Sequence, residues 1–165
     1  MQLDKLFLNL GLAASAAQLA TLALVLLVIA TVFWLLIGRF RLHNYLINVY
    51  ISYAVMQVLP RGVLSFTTNG PIIIFLLFMV ILILMNKYLF DIHQSGSGLA
   101  IWQVYVMSLL EVMLTVSIIF SFMSAKDVLR YISEDSLAYF TDPVWRMVWM
   151  ILPLLFLIFV KKRDR

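Results

Sequence analysis

A single carboxyl group, Glu111, stands inside the apolar run MSLLEVMLT, residues 107–115. Ser108, Glu111 and Thr115 are spaced i, i+3 and i+7, which lines them along one face of a helix. An acid and two hydroxyls on one stripe have two uses in an apolar setting. They can bind a proton or cation on an ion path, since ionisable groups inside membranes usually face a protein interior or a water cavity. They can also join two helices, the acid staying protonated and hydrogen-bonded. Depth counted by residue number sets Ser52 and Tyr53, in the segment NYLINVYISYAVMQVLP, level with Glu111, as hydroxyl donors to it. Arg146 is the nearest candidate counter-ion, and a direct pair requires helix tilt or snorkelling.

Other chemistry is sparse. There is no cysteine, which removes disulfides, thiol catalysis and Cys-based metal sites. His43 and His93 lack matched acids or an HExxH spacing, so no metal is expected. Glu134, Asp135 and Asp142 lack the alternating ligands and glycine of a calcium loop. No nucleophile elbow, phosphate loop or dinucleotide fingerprint occurs, so we expect a non-enzymatic protein with no cofactor. The basic residues Arg39 and Arg41, beside Gly38, and the tail Lys161, Lys162 and Arg163 are expected to set topology or touch lipid head groups. The formal net charge of +4 therefore does not imply a nucleic-acid partner.

The elements that must position these residues follow from composition. Apolar residues are 64% of the 165 and charged residues 12%, an imbalance that a short chain cannot hide in a soluble core. The expected fold is an all-α, polytopic membrane helix bundle in a single domain. Five transmembrane helices are expected at about 16–37, 44–59, 71–88, 99–123 and 143–160. The second segment, ended by Pro60, barely reaches across a hydrocarbon core of about 30 Å, so four spans plus a re-entrant segment is the alternative. Its Asn44, Asn48 and Ser52 recur every four residues and form one polar face.

Leu3, Leu6, Phe7 and Leu10 give the first ten residues the pattern of a short interfacial helix. The segment AKDVLRYISEDSLAYFTD mixes charge with apolar residues and reads as a second interfacial helix plus loop. Small residues Ala13, Ala17 and Ala20 on the first helix allow close approach of a neighbour. With five spans, Arg39, Arg41, Lys87 and the basic tail share one side. The positive-inside bias then gives a cytoplasmic C-terminus and an outside N-terminus in a plasma (inner) membrane.

The first two helices and their turn, TVFWLLIGRFRLHNYLINVYISYAV, resemble the start of the colicin V production family of small bacterial inner-membrane proteins. The resemblance covers the layout of the first four helices and one motif, the Gly38-Arg39 turn with Arg41. The family's glycine-rich fourth helix and its acidic residue soon after the turn have no counterpart here. The resemblance implies a link to secretion or envelope homeostasis. The expected function is a non-enzymatic accessory or scaffold component, acting through helix–helix contacts in a homo-oligomer or larger membrane complex. The alternative is a small proton- or cation-coupled transporter, or a channel-forming oligomer, that uses Glu111.

Overall fold

A computed structural model describes residues 14–37, 42–60, 62, 67, 69–89, 100–132 and 134–163. The described residues form helices and connections, with no strand among them. In chain order the helices are α1 (Ala14–Ile37), α2 (Leu42–Val58), α3 (Gly70–Leu89), α4 (Ile101–Phe122), α5 (Ala125–Val128), α6 (Glu134–Thr141) and α7 (Pro143–Arg163). The all-α expectation holds. The expected interfacial helix over the first ten residues lies outside the described residues. So do Arg39 and Arg41 of the basic turn, His93, and the side chains of Lys161, Lys162 and Arg163.

Local sequence accounts for several boundaries. Pro71 is the second residue of α3, inside the first turn, where its missing N–H costs no helical bond. The α4 start is held by the Gln103 side chain, whose Oε1 accepts from the Ala100 amide at 2.7 Å. Ser124 caps α5, accepting from the Asp127 amide at 3.3 Å and donating to Asp127 Oδ2 at 2.6 Å. Asp142 opens α7 through its Oδ1, which accepts from the Val144 amide at 2.7 Å.

Helix α4 is the hub, touching α1, α2, α3, α6 and α7. Ring contacts fix the helix directions. Trp34 of α1 meets Tyr105 of α4 edge-on, and Trp102 of α4 meets Phe156 of α7, so α1 and α7 both run antiparallel to α4. Phe75 near the start of α3 meets Phe122 at the end of α4, also antiparallel. Tyr53 meets the same Phe122, and Tyr45 reaches Thr115, so α2 runs parallel to α4.

Two apolar cores lie on either side of α4. Leu42, Leu46 and Val49 of α2 join Phe75 and Met79 of α3 against Val104, Met107, Leu114 and Ile118 of α4. Leu26 and Ala30 of α1 join Val128, Ile132 and Phe140 against Val112. The residues on the two faces of α4 differ in helical angle by about a quarter turn or more, which is how one helix serves both cores.

Two helices are long and apolar enough to cross a membrane, Ile101–Phe122 and Pro143–Val160. Ala20–Leu35 and Gly70–Met85 are shorter apolar stretches among the described residues. Only 11% of the Pro143–Val160 window is buried inside the protein, so most of that apolar helix faces outward. A surface of this kind marks contact with lipid or another protein.

Candidate functional site

Glu111 is fully buried near the middle of α4. It shares its face with Val104, Met107, Leu114 and Ile118, all buried. Neither carboxyl oxygen has a hydrogen-bond partner among the described residues. Ser108, one turn earlier, is equally buried, and its hydroxyl also has no partner among them. Thr115, one turn later, donates to the Glu111 carbonyl at 2.8 Å. The expected stripe is therefore real as a helix face. Neither of its hydroxyls hydrogen-bonds the carboxyl it flanks.

The partners expected from α2 are not the ones found. Tyr53 packs on Phe122, about three turns along α4 from Glu111. Ser52 is buried without a hydrogen-bond partner among the described residues, as is Oδ1 of Asn48 one turn before it. Residue counting misplaced them because α2 does not sit centred on α4. It follows the turn after α1, whose Phe33 meets Tyr45 edge-on with ring centroids 4.5 Å apart. That contact slides α2 towards the C-terminal end of α4.

Two tyrosines of α2 that sequence reasoning did not single out make polar contacts to other helices instead. Tyr45 Oη lies 3.3 Å from Thr115 Oγ1, where either hydroxyl can donate. Tyr50 Oη donates to the Met150 carbonyl of α7. The signal that would have found Tyr45 is direction: once α2 is known to run parallel to α4 and to begin level with its middle, an early tyrosine of α2 is the one that reaches Thr115.

Arg146 is not a counter-ion of Glu111. Its Nη2 donates to the Thr141 carbonyl at 3.2 Å, at the end of α6, where a cation also suits the helix dipole. Two other side chains hold the same turn. Trp149 Nε1 donates to the Tyr139 carbonyl at 2.8 Å and Ser117 Oγ to the Phe140 carbonyl at 3.2 Å. These three successive carbonyls, orphaned where α6 stops, are satisfied from α7 and α4.

No group of three or more histidines, cysteines or acids stands close enough to hold a metal ion among the described residues. Comparison of the chain with protein-family models, with curated proteins and with solved structures finds no match.

Proposed function

We propose that the chain is a multi-pass plasma-membrane protein of five spans that acts as an accessory or scaffold component through helix–helix contacts. The observation that carries this reading is the outward apolar surface of the helices around α4. Leu35 of α1, Leu84 of α3 and Ile158 and Phe159 of α7 are all exposed. Lipid and partner helices are the surroundings in which such faces are stable. The alternating helix directions suit five crossings, with Arg39, Arg41, Lys87 and the basic tail on the cytoplasmic side. The resemblance of the turn Gly38-Arg39 with Arg41 and its flanking helices to colicin V production proteins extends the proposal to secretion or envelope homeostasis in a bacterium.

Because the chain has no cysteine, topology can be tested with single introduced thiols. Phe40→Cys and Ser95→Cys are expected to react with an impermeant maleimide from the cytoplasmic side only, and Phe66→Cys from the outside only. A re-entrant α2 would place Phe40 and Phe66 on one side and sink the five-span reading.

A second reading, a small proton- or cation-coupled transporter or channel-forming oligomer, is favoured by one observation, the buried Glu111 carboxyl with no partner among the described residues. Such a group is retained at a cost, and intramembrane acids mark ion paths. Reconstitution in liposomes separates the two readings. Proton flux in the wild-type protein that Glu111→Gln abolishes would remove the scaffold-only reading. Absence of flux from both, with unchanged oligomer size, would remove the transporter.

A further inference from the structure

Helix α2 meets α4 at two points that fix its register. Tyr45 Oη lies 3.3 Å from Thr115 Oγ1, and Tyr53 packs on Phe122, the last residue of α4. Asn48 and Ser52 follow Tyr45 at i+3 and i+7, so the three share one face of α2, as Ser108, Glu111 and Thr115 share one face of α4. The two polar faces do not lie side by side. They join at Tyr45 and Thr115 and run from there in opposite directions, Glu111 and Ser108 towards the start of α4, Asn48 and Ser52 towards its end. Each half advances by seven residues, about 10 Å of helix, so the row takes up about 20 Å of a hydrocarbon core about 30 Å thick.

The join is hydrogen-bonded. The Thr115 hydroxyl donates to the Glu111 carbonyl, which leaves Tyr45 as the donor to Thr115. On either side of it, Ser108 Oγ, both Glu111 carboxyl oxygens, Asn48 Oδ1 and Ser52 Oγ have no partner among the described residues, although each residue is at most 1% exposed. Successive members of a helix face have Cβ atoms about 5–6 Å apart, a gap that one water spans with a hydrogen bond of about 2.8 Å to each side. Buried polar groups that the protein leaves unpaired are the ones that ordered water pairs.

We propose that this row holds a file of waters giving protons access to the Glu111 carboxyl from the membrane face at the end of α4, with the Tyr45–Thr115 hydroxyl pair as its narrow point. The inference rests on the second reading above, in which Glu111 binds a proton or cation, and names the ion, the route and the side of entry. A hard metal cation wants about six oxygens at once, and a row one side chain wide offers them singly. Hydroxyls and waters both donate and accept. A proton therefore advances as each oxygen takes one proton and releases another, until a Glu111 carboxylate oxygen keeps the last. Asn48 Oδ1 only accepts, so it holds a water in line without relaying.

The side of entry follows from the two ends of the row. Ser52 adjoins Tyr53 and so lies near Phe122, and Ser124 two residues further on is exposed. At the opposite end the face of Ser108 continues as Val104, 1% exposed, and then Ile101, 68% exposed. Val104 is an apolar plug between Ser108 and that surface. Tyr50 lies off the row, its hydroxyl given to the Met150 carbonyl of α7.

The test reads the Glu111 carboxyl itself. In proteoliposomes at a pH where the acid is protonated, its infrared C=O band is isolated by subtracting the spectrum of Glu111→Gln. On a jump into deuterated buffer the band is expected to shift promptly in the wild type. Thr115→Val, which keeps the side-chain shape without the hydroxyl, and Tyr45→Phe are expected to slow the shift. Thr115→Ser, which keeps the hydroxyl, and Tyr50→Phe are expected to leave it unchanged. A band that never shifts overturns the row, as does one that shifts as fast in Thr115→Val as in the wild type. Slowing by Thr115→Ser or Tyr50→Phe equal to that by Thr115→Val would be an effect of packing and would overturn it too. Proton flux across the same liposomes separates the row from the transport reading. Exchange that needs the Thr115 hydroxyl, without flux, supports the row and removes the transporter. Flux that needs Glu111 but is untouched by Thr115→Val overturns the row and leaves the transporter standing.

Discussion

The C-terminal end and the middle of α4 treat polar groups in opposite ways. At its C-terminal end, the short helix α6 is tied down by named donors: Ser117, Arg146 and Trp149 each take one carbonyl of its last turn. In its middle, Glu111 and Ser108 are as deeply buried, yet their side-chain oxygens have no partner among the described residues. Buried polar groups in native proteins are nearly always hydrogen-bonded, because an unmet one costs free energy that nothing returns. The first region therefore uses polarity to hold a shape. The second keeps polarity that the shape does not require, which is the pattern of a group retained for what it binds.

The largest effect that bears on this contrast is expected in the tied-down region. Phe140 is buried, meets Phe120 edge-on at 5.8 Å and stacks on Trp149 at 6.3 Å between centroids. It connects α6 to both α4 and α7. Phe140→Ala is expected to destabilise the protein by about 3–5 kcal/mol, as large-to-small changes in packed cores do. Titration with denaturing detergent from a mild micelle would measure it. A loss under about 1 kcal/mol would mean that the site collapses freely and that α6 is only loosely docked.

Much of this arrangement was open to reading from the chain. The apolar excess implied an all-helical protein, and the polar stripe of α4 follows from spacing alone, because a helix repeats regardless of its neighbours. The segment after α4 was legible in part: its mixture of charge and apolar residues gave one short helix plus a loop, where the structure has two short helices, α5 and α6. What could not be read was anything set by the offset between helices. Tyr45 reaches Thr115 of α4 because Phe33 fixes where α2 begins, and no periodicity within α2 encodes that contact. Arg146 looked like a counter-ion because charge suggests a charged partner. The end of α6 offers it orphaned carbonyls closer to hand, and a cation at a helix C-terminus needs no acid.

A matched pair of smaller substitutions tests the contrast directly. Ser117→Ala removes one hydroxyl and leaves the Phe140 carbonyl without its donor, at a cost expected to be about 1–3 kcal/mol. Glu111→Leu removes a carboxyl with no partner among the described residues and keeps most of its volume among Met107, Leu114 and Ile118. No hydrogen bond is lost there, so stability is expected to stay level or to rise by about 1–3 kcal/mol. The same detergent titration reads both, and the sign of the difference is what matters. If Glu111→Leu destabilises as much as Ser117→Ala, the carboxyl is holding helices together and the two halves of α4 are alike. If it stabilises, the acid is kept against the interest of folding, and the scaffold that needs it only as glue between helices is ruled out.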